Sequence, residues 1–161
     1  MDYNRVVADL AGNSEEEFIR KISEKFTIEK YRGEGPYRPG ARHTFGMYLD
    51  NCWYKLTAKP GTFNKEDVVN SLDVSILQNN LLSPILGIKD PRTDQRIEFI
   101  GGIKGLKELE KRVQAGMKVA FSLYPTSIEE LMRVADAEKL MPPKSTWFEP
   151  KLRSGIFIHK L

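Results

Sequence analysis

The sequence contains little cysteine and histidine, and this restricts the chemistry open to it. One cysteine, Cys52, and two histidines occur in 161 residues. A single thiol cannot form a disulfide within the chain, and these three side chains cannot build a cysteine- or histidine-rich zinc site. Metal binding by carboxylates alone stays open. The lack of a disulfide framework favours a cytoplasmic protein.

Long apolar runs and blocks of like charge are also missing. No stretch approaches the roughly 20 apolar residues that span a bilayer, and residues 1–10 lack a signal-type apolar segment. The net charge of +3 comes from 25 basic and 22 acidic residues that are interspersed along the chain. We therefore expect no membrane association. Nucleic-acid binding ranks last among the function classes, because no basic face with interleaved aromatic residues is present.

Several catalytic signatures are absent as well. The chain has no G-x-x-x-x-G-K-[ST], H-E-x-x-H, C-x-x-C or G-x-S-x-G motif. Residues 1–161 therefore contain no complete recognisable catalytic apparatus, and function has to be inferred from weaker patterns.

Local patterns predict a single domain over residues 1–161 that mixes helices and strands. The aromatic-rich segments 44–49 and 52–58 are typical of a hairpin. Ser127 with Glu130 forms a capping box at the start of a helix. The remaining expected elements are helices from Asn13 or Ser14, within 71–86 with Ser71 as cap, and at 105–114, and strands at 27–31, 96–100, 117–123 and 155–159. The predicted class is α/β (α+β): a mixed sheet flanked by helices, with an N-terminal hairpin and a βαβαβ-like C-terminal half. The arginines of the loop 32–42 are expected to be solvated.

Two turns are candidate sites. Gly101 and Gly102 follow a strand and precede a helix, so their N–H groups together with Lys104 could cradle an anion; ordinary strand-to-helix turn chemistry is the alternative. In the turn 90–94, Asp90 and Asp94 could hold Mg²⁺ or act as a base while Arg92 grips an anion. A capped turn with self-satisfied side chains is the alternative, and the sequence favours it.

The segment 141–154 is the third candidate. It combines hydrogen-bond donors with aromatic rings, as an anionic or nucleotide-like ligand requires. The donors are Lys144, Ser145, Thr146, Lys151, Arg153 and Ser154, and the rings are Trp147 and Phe148. In the alternative, the two rings pin the loop to the core and the charges face water. Thr126, at the end of a neighbouring strand, is expected near the same crevice.

These motifs together carry a family resemblance. The sequence resembles the carboxy-terminal portion of the bacterial and archaeal domain-of-unknown-function 1015 family over essentially its whole length. The segments that carry it are L-D-V-S-I-L-Q-N (72–79), D-P-R-T-D (90–94), I-E-F-I-G-G (97–102), L-Y-P-T-S (123–127), M-P-P-K-S-T-W-F-E-P-K-L-R-S-G (141–155) and Y-N-R-V-V (3–7).

The resemblance implies a function that the motifs alone do not. An upstream segment of such proteins, with a D-G-H-H-R-type motif absent here, is similar to the ParB and sulfiredoxin-like fold, whose kinase relatives phosphorylate free serine. The chain is then expected to be the carboxy-terminal part of a phosphoryl-transfer enzyme, inactive alone. Mg²⁺ with ATP or pyrophosphate would act in the longer protein. A non-catalytic binding or assembly module, with a homodimer as one form, is the alternative.

Overall fold

The computed structural model describes residues 2–146, in which six strands form one sheet. The strands are β1 (Tyr3–Val7), β2 (Phe26–Lys30), β3 (Thr44–Leu49), β4 (Cys52–Ala58), β5 (Ile97–Gly101) and β6 (Val119–Leu123). Their order across the sheet is β2-β4-β3-β6-β1-β5. Each pair of neighbours is antiparallel.

Four α-helices accompany the sheet within residues 2–146. They are α1 (Glu15–Ser23), α2 (Asp73–Leu77), α3 (Lys107–Gln114) and α4 (Ile128–Asp136). A π-helical turn (Gln78–Leu82) continues α2, and a short 3₁₀ turn (Gly102–Lys104) follows β5. The predicted α/β class is confirmed. None of these helices is long and apolar enough to cross a membrane.

The expected mixed pairing is wrong for the described strands, and β1 is the reason. Because β5 and β6 both pair antiparallel with β1, they run parallel to each other, as a strand-helix-strand crossover requires. The connection through α3 is therefore present. Sequence patterns did not predict β1. This strand lies between β5 and β6, so that each of them has β1 as an antiparallel neighbour. The expected closing strand at 155–159 lies outside the described residues.

The hairpin formed by β3 and β4 has the predicted boundaries. Leu49 pairs with Cys52 next to a two-residue turn. Asp50 and Asn51 in that turn have φ of 47° and 56°, the left-handed values that a type I′ hairpin turn needs and that Asp and Asn tolerate. Local chemistry therefore sets the register of this pair.

The sheet carries an apolar cluster on each face, since alternate residues along a strand point to opposite sides. Val119, Phe121 and Leu123 belong to the larger cluster, where α1, α2 and α4 pack. Ala120 belongs to the smaller cluster, where Leu106 and Leu109 of the α3 region pack. The sheet is thus covered by helices on both sides.

Two of the three expected helix caps are present. Ser14 accepts the Glu17 N–H ahead of α1, and Ser127 and Glu130 form the predicted capping box of α4. Ser71 does not cap α2; Leu72 is the residue before that helix and makes no side-chain cap bond. The carboxylate of Asp73, the first residue of α2, accepts the His43 backbone N–H at 2.8 Å and so ties the start of the helix to the loop ahead of β3.

Candidate functional site

A cleft of about 480 Å³ opens between the start of β1, the α2 region and two loops. Its volume suits a small molecule. The charged side chains that line it are Arg5, Lys89, Asp90 and Arg92. The polar ones are Asn70, Ser75, Gln78 and Asn79. With three cations against one carboxylate among its described lining residues, this is a cationic cleft.

Arg5 is the buried cation of the cationic cleft. Its side chain is 4% exposed. The guanidinium donates to the carbonyl oxygens of Tyr3 and of Lys144, the latter at 2.9 Å, and lies 5.3 Å from the ring centroid of Phe99. Burial lowers the pKa of Arg5 to about 10, so the group is still a cation at neutral pH.

No carboxylate among residues 2–146 forms an ion pair with Arg5. Among the described residues, carbonyl dipoles and a ring face compensate this buried charge, and a buried charge is unfavourable unless another group neutralises it. Because Arg5 lines an open cleft, the cleft has the chemistry to accept an anion.

Arg92 and Asp90 form a closed pair at the rim. The guanidinium donates to both carboxylate oxygens, from Nε at 3.0 Å and from Nη2 at 2.8 Å. The Asp90 carboxylate also accepts the Arg92 backbone N–H at 3.0 Å. These bonds hold the pKa of Asp90 at about 2, which makes it a weak base near neutral pH. The geometry favours the capped-turn alternative for this carboxylate.

Amide side chains form one wall of the cleft. Gln78 Nε2 donates to the carbonyl oxygen of Ile88 at 2.7 Å, which fixes the side chain. Asn79 donates to Asn70 at 3.3 Å, and Asn70 donates to Asp67 at 2.8 Å. The wall is therefore a chain of oriented hydrogen-bonding groups, a suitable surface for a polar ligand.

The loop at 141–146 reaches the same cleft. Pro142 and Pro143 line it, and Lys144 Nζ lies 5.8 Å from the Phe99 ring centroid, the ring that also contacts Arg5. Thr126 Oγ1 donates to the carbonyl oxygen of Ser145 at 3.0 Å, so Thr126 lies against this loop, and its part in ligand binding stays a prediction. Ser145 is buried and Thr146 half-buried. Trp147, Lys151 and Arg153 lie outside the described residues.

The glycine turn has structural partners of its own. The Gly102 N–H donates to the carbonyl oxygen of Asp2 at 2.9 Å, and the Gly105 N–H returns to Gly102. Gly101 ends β5. Neither Gly101 nor Gly102 lines the cationic cleft. These contacts fit the turn-chemistry alternative, and the anion-cradle role stays a prediction.

Asp94 is also engaged away from the cleft. It accepts bonds from Arg96 at 3.2 Å and 2.8 Å, and these bonds lower its pKa. Arg96 Nη1 continues to Asp9 at 3.3 Å and to the Leu86 carbonyl oxygen at 3.0 Å. This network ties three segments together. Within residues 2–146, no three His, Cys, Asp or Glu side chains are grouped so that they could hold a metal ion.

Sequence reasoning therefore found part of the cleft and missed its centre. Asp90 and Arg92 line the cleft together with Pro142 and Pro143 of the loop at 141–146. The lining residues do not include Lys144, Ser145, Thr146 or Thr126, and the binding role of all these residues stays a prediction. Arg5, Lys89 and the amide wall were missed. The sequence signal for Arg5 was a single cation beside two apolar residues in Y-N-R-V-V. This signal is weak, because the strand β1 forms only by pairing with the distant strands β5 and β6.

The fold and the cleft define the class: an α/β protein whose antiparallel sheet carries a cationic cleft at one end. Residues 1–75 match the model of a family described as "Protein of unknown function (DUF1015)". The resemblance to that family is confirmed for this segment; its extension over the later motifs, and the correspondence to a carboxy-terminal portion, stay predictions. The curated proteins and the solved structures compared with the chain include no match.

Proposed function

We propose that the cationic cleft binds a small anionic molecule, and that it does so within a phosphoryl-transfer enzyme that acts on free serine or a similar amino-acid-like substrate in the cytoplasm. Arg5 carries this proposal. It is a buried guanidinium without a carboxylate partner among the described residues, and it faces a cleft of suitable size. Arg92 and Lys89 add positive charge to the lining of the cleft. Lys144 Nζ lies near the Phe99 ring that Arg5 also contacts.

In this proposal the cleft holds and orients the substrate. A hydroxyl oxygen of the substrate attacks the terminal phosphorus of ATP or pyrophosphate, the bond to the ADP or phosphate leaving group breaks, and a base accepts the hydroxyl proton. Mg²⁺ and the donor are assigned to the upstream segment of a longer family protein. The residues named here contribute positioning and charge, which supply much of the acceleration in such reactions.

The first test is calorimetric titration of the chain with sulfate, O-phosphoserine, serine, and ATP or pyrophosphate with Mg²⁺, with thermal midpoints measured in parallel. We expect sulfate and O-phosphoserine to bind and to raise the midpoint. Arg92→Gln removes a cation and leaves Asp90 uncompensated in the cleft. It should weaken sulfate binding about tenfold, equivalent to ~1.4 kcal/mol.

Arg20→Gln is the matched control, because Arg20 is also an exposed arginine paired with a carboxylate, Glu24 at 3.8 Å, but on α1. It should bind sulfate like the unmodified chain. Equal affinities for the two variants, or no binding of any anion, would contradict the proposal. A rise in midpoint with ATP or pyrophosphate would place donor contacts in these residues as well.

A second candidate is an assembly module in which another copy of the chain covers α4. Ile128 and Met132 stand one helical turn apart on α4 and are 70% and 58% exposed. Large apolar side chains at this spacing form a stripe that a second helix could cover. This candidate requires no ligand, so the titrations separate it from the first.

A further inference from the structure

A second pocket, of about 290 Å³, lies on the other face of the sheet from the cationic cleft. Its aromatic lining residues are Tyr31, Tyr48 and Trp53, and its charged ones are Lys30 and Glu110. Tyr48 and Trp53 belong to the smaller apolar cluster, whereas Val74 of the cationic cleft belongs to the larger one. This aromatic pocket therefore has a lining of its own and can be tested independently of the cleft.

The rings at the aromatic pocket are inclined to one another. The Tyr48 and Trp53 ring centroids lie 5.2 Å apart with 44° between the ring planes. Tyr37 supports Tyr31 from outside the lining, with 5.1 Å between centroids and 60° between planes. Because the rings are not coplanar, they border the pocket from different directions. The π-face of a ring carries negative charge and attracts a cation within about 6 Å of the ring centroid.

Glu110 of α3 supplies the negative charge of the pocket. The Trp53 indole N–H donates to Glu110 Oε1 at 2.7 Å, which fixes the carboxylate beside the rings. No cation among residues 2–146 forms an ion pair with Glu110. A cationic guest would therefore supply the opposite charge that the described residues do not.

The loop at 31–37 forms one wall of the pocket and is held at both ends. A Cβ at Gly33 would collide with the Tyr31 hydroxyl, so the backbone packs directly on that ring. At the other end, the Tyr37 carbonyl oxygen accepts a hydrogen bond from Ser122 Oγ of β6 at 3.1 Å. The wall is thus formed before any ligand arrives, as is usual for small-molecule sites.

The continuation of this loop is anchored as well. Arg42 forms an ion pair with Glu130 of α4 at 2.9 Å. Arg42 was expected to be solvated, and this ion pair corrects that expectation, whereas Arg32 and Arg38 are exposed as predicted. The segment that carries the pocket wall is therefore attached to both β6 and α4.

Lys30 opposes a cationic guest, because its ammonium is a like charge in the lining. Lys30 is exposed at the end of β2, and solvent and salt screen an exposed charge. Glu110 is half-buried and hydrogen-bonded beside the rings. The less screened charge of the pocket is therefore the negative one.

We propose that the aromatic pocket binds a small organic cation of the methylated ammonium class, with the cationic group against the rings of Tyr31, Tyr48 and Trp53 and beside the Glu110 carboxylate. Methyl groups on the nitrogen contact ring faces and leave no N–H donor unpaired. A primary ammonium has three donors and would exchange its hydration for one carboxylate. The small volume limits the guest to a headgroup and a short chain.

The test is an NMR titration of the whole chain with choline at constant ionic strength. Binding is followed on the backbone amides of Gly33 and Asn51 and on the tryptophan indole N–H signals. The matched probe is the neutral analogue of choline in which a tert-butyl group replaces the trimethylammonium group. We expect choline to bind in the millimolar range and the analogue at least about fivefold more weakly. Equal binding of the two probes, or no shift with choline, would overturn the proposal.

Glu110→Gln removes the charge and keeps an oxygen for the Trp53 indole N–H. It should weaken choline binding about fivefold and leave the binding of the neutral analogue unchanged. Glu16→Gln is the matched control, since it makes the same change of charge at an exposed position of α1, and it should bind choline like the unmodified chain. If the two variants bound choline equally well, Glu110 would contribute no attraction and the proposal would be wrong.

Substitutions of Tyr31 separate the attraction of a ring face from ordinary apolar contact. Tyr31→Phe keeps a ring and should bind choline within about twofold of the unmodified chain, whereas Tyr31→Leu keeps apolar volume without a π-face and should bind about threefold more weakly. Circular dichroism checks that both variants fold. Choline binding by the leucine variant as tight as by the phenylalanine variant would contradict a site built on rings.

Lys30→Gln distinguishes a cationic guest from a neutral sugar, which can also pack on aromatic rings. Loss of the like charge should tighten choline binding about twofold, whereas a sugar would lose a hydrogen-bond donor. Glucose is therefore titrated in parallel. Shifts of the same signals with glucose and none with choline would overturn the proposal and make this a site for neutral ligands.

Discussion

The structural role of a single residue in this protein often depends on a residue far away in the sequence. The Gly101-Gly102 pair can be recognised in the sequence as a turn, but the reason for a glycine at 102 cannot. A Cβ at Gly102 would collide with the Asp2 carboxylate, and Asp2 is in turn hydrogen-bonded to Asn4 at 2.8 Å. The residue that requires this glycine therefore lies a hundred positions earlier, at the start of the described chain.

Gly102→Ala should consequently destabilise the fold. We expect a loss of about 1–3 kcal/mol, typical of overpacking, because the carboxylate must move and Asp2 is buried. Urea unfolding measures it. Gly40→Ala is the control, since a Cβ there meets no atom within 4 Å, and its effect should stay within about 0.5 kcal/mol. Equal stability of the two variants would contradict this, because it would mean that the Asp2 side chain can move away without a loss of folding free energy.

Individual elements divide into those that local chemistry sets and those that it does not. The β3–β4 hairpin and the capped start of α4 depend on neighbours a few residues apart, and both were predicted. At the start of α2 the Asp73 carboxylate accepts a hydrogen bond from His43, thirty positions earlier, and the predicted cap at Ser71 is wrong. For the same reason β1 was missed, because its partners are β5 and β6.

The candidate site follows the same division. Arg92 with Asp90 could be singled out because the D-P-R-T-D turn is self-contained, and the loop at 141–146 because it combines cations with hydroxyls. Arg5 could not, because its burial and its contact with the Lys144 carbonyl oxygen exist only after β1 has joined the sheet. The buried Arg5 charge is the strongest feature of the cleft. It arises from tertiary packing, which a local sequence pattern does not encode.

The contribution of the loop at 141–146 to anion binding can be tested at Lys144. Lys144→Ala should leave the fold unchanged, since Lys144 is exposed, and should weaken sulfate binding by up to about fivefold, as expected for one partly screened cation. Titration calorimetry measures the affinity, and circular dichroism checks the fold. Lys111→Ala is the control, since Lys111 is also exposed but lies on α3. Normal binding by a folded Lys144→Ala protein would remove this loop from the site.

For the whole molecule, the assembly alternative predicts a dimer in solution, and therefore a doubled molecular mass. If a second copy covers the exposed stripe of α4, light scattering after size exclusion should give twice the 18.4 kDa of one chain. Ile128→Lys should then return the protein to a monomer without lowering its stability, because Ile128 is 70% exposed. A monomer at all concentrations, before any substitution, would refute this alternative.

The position of β1 also has a consequence for how the chain is made. The strands β2, β3 and β4 pair with one another, so a growing polypeptide can assemble that half as it leaves the ribosome. β1 is synthesised before those three strands, yet its neighbours begin at Ile97 and Val119. Pairings between residues so far apart in sequence form slowly. The earliest of these six strands is therefore among the last to be paired, and Arg5 reaches its buried position only at that stage.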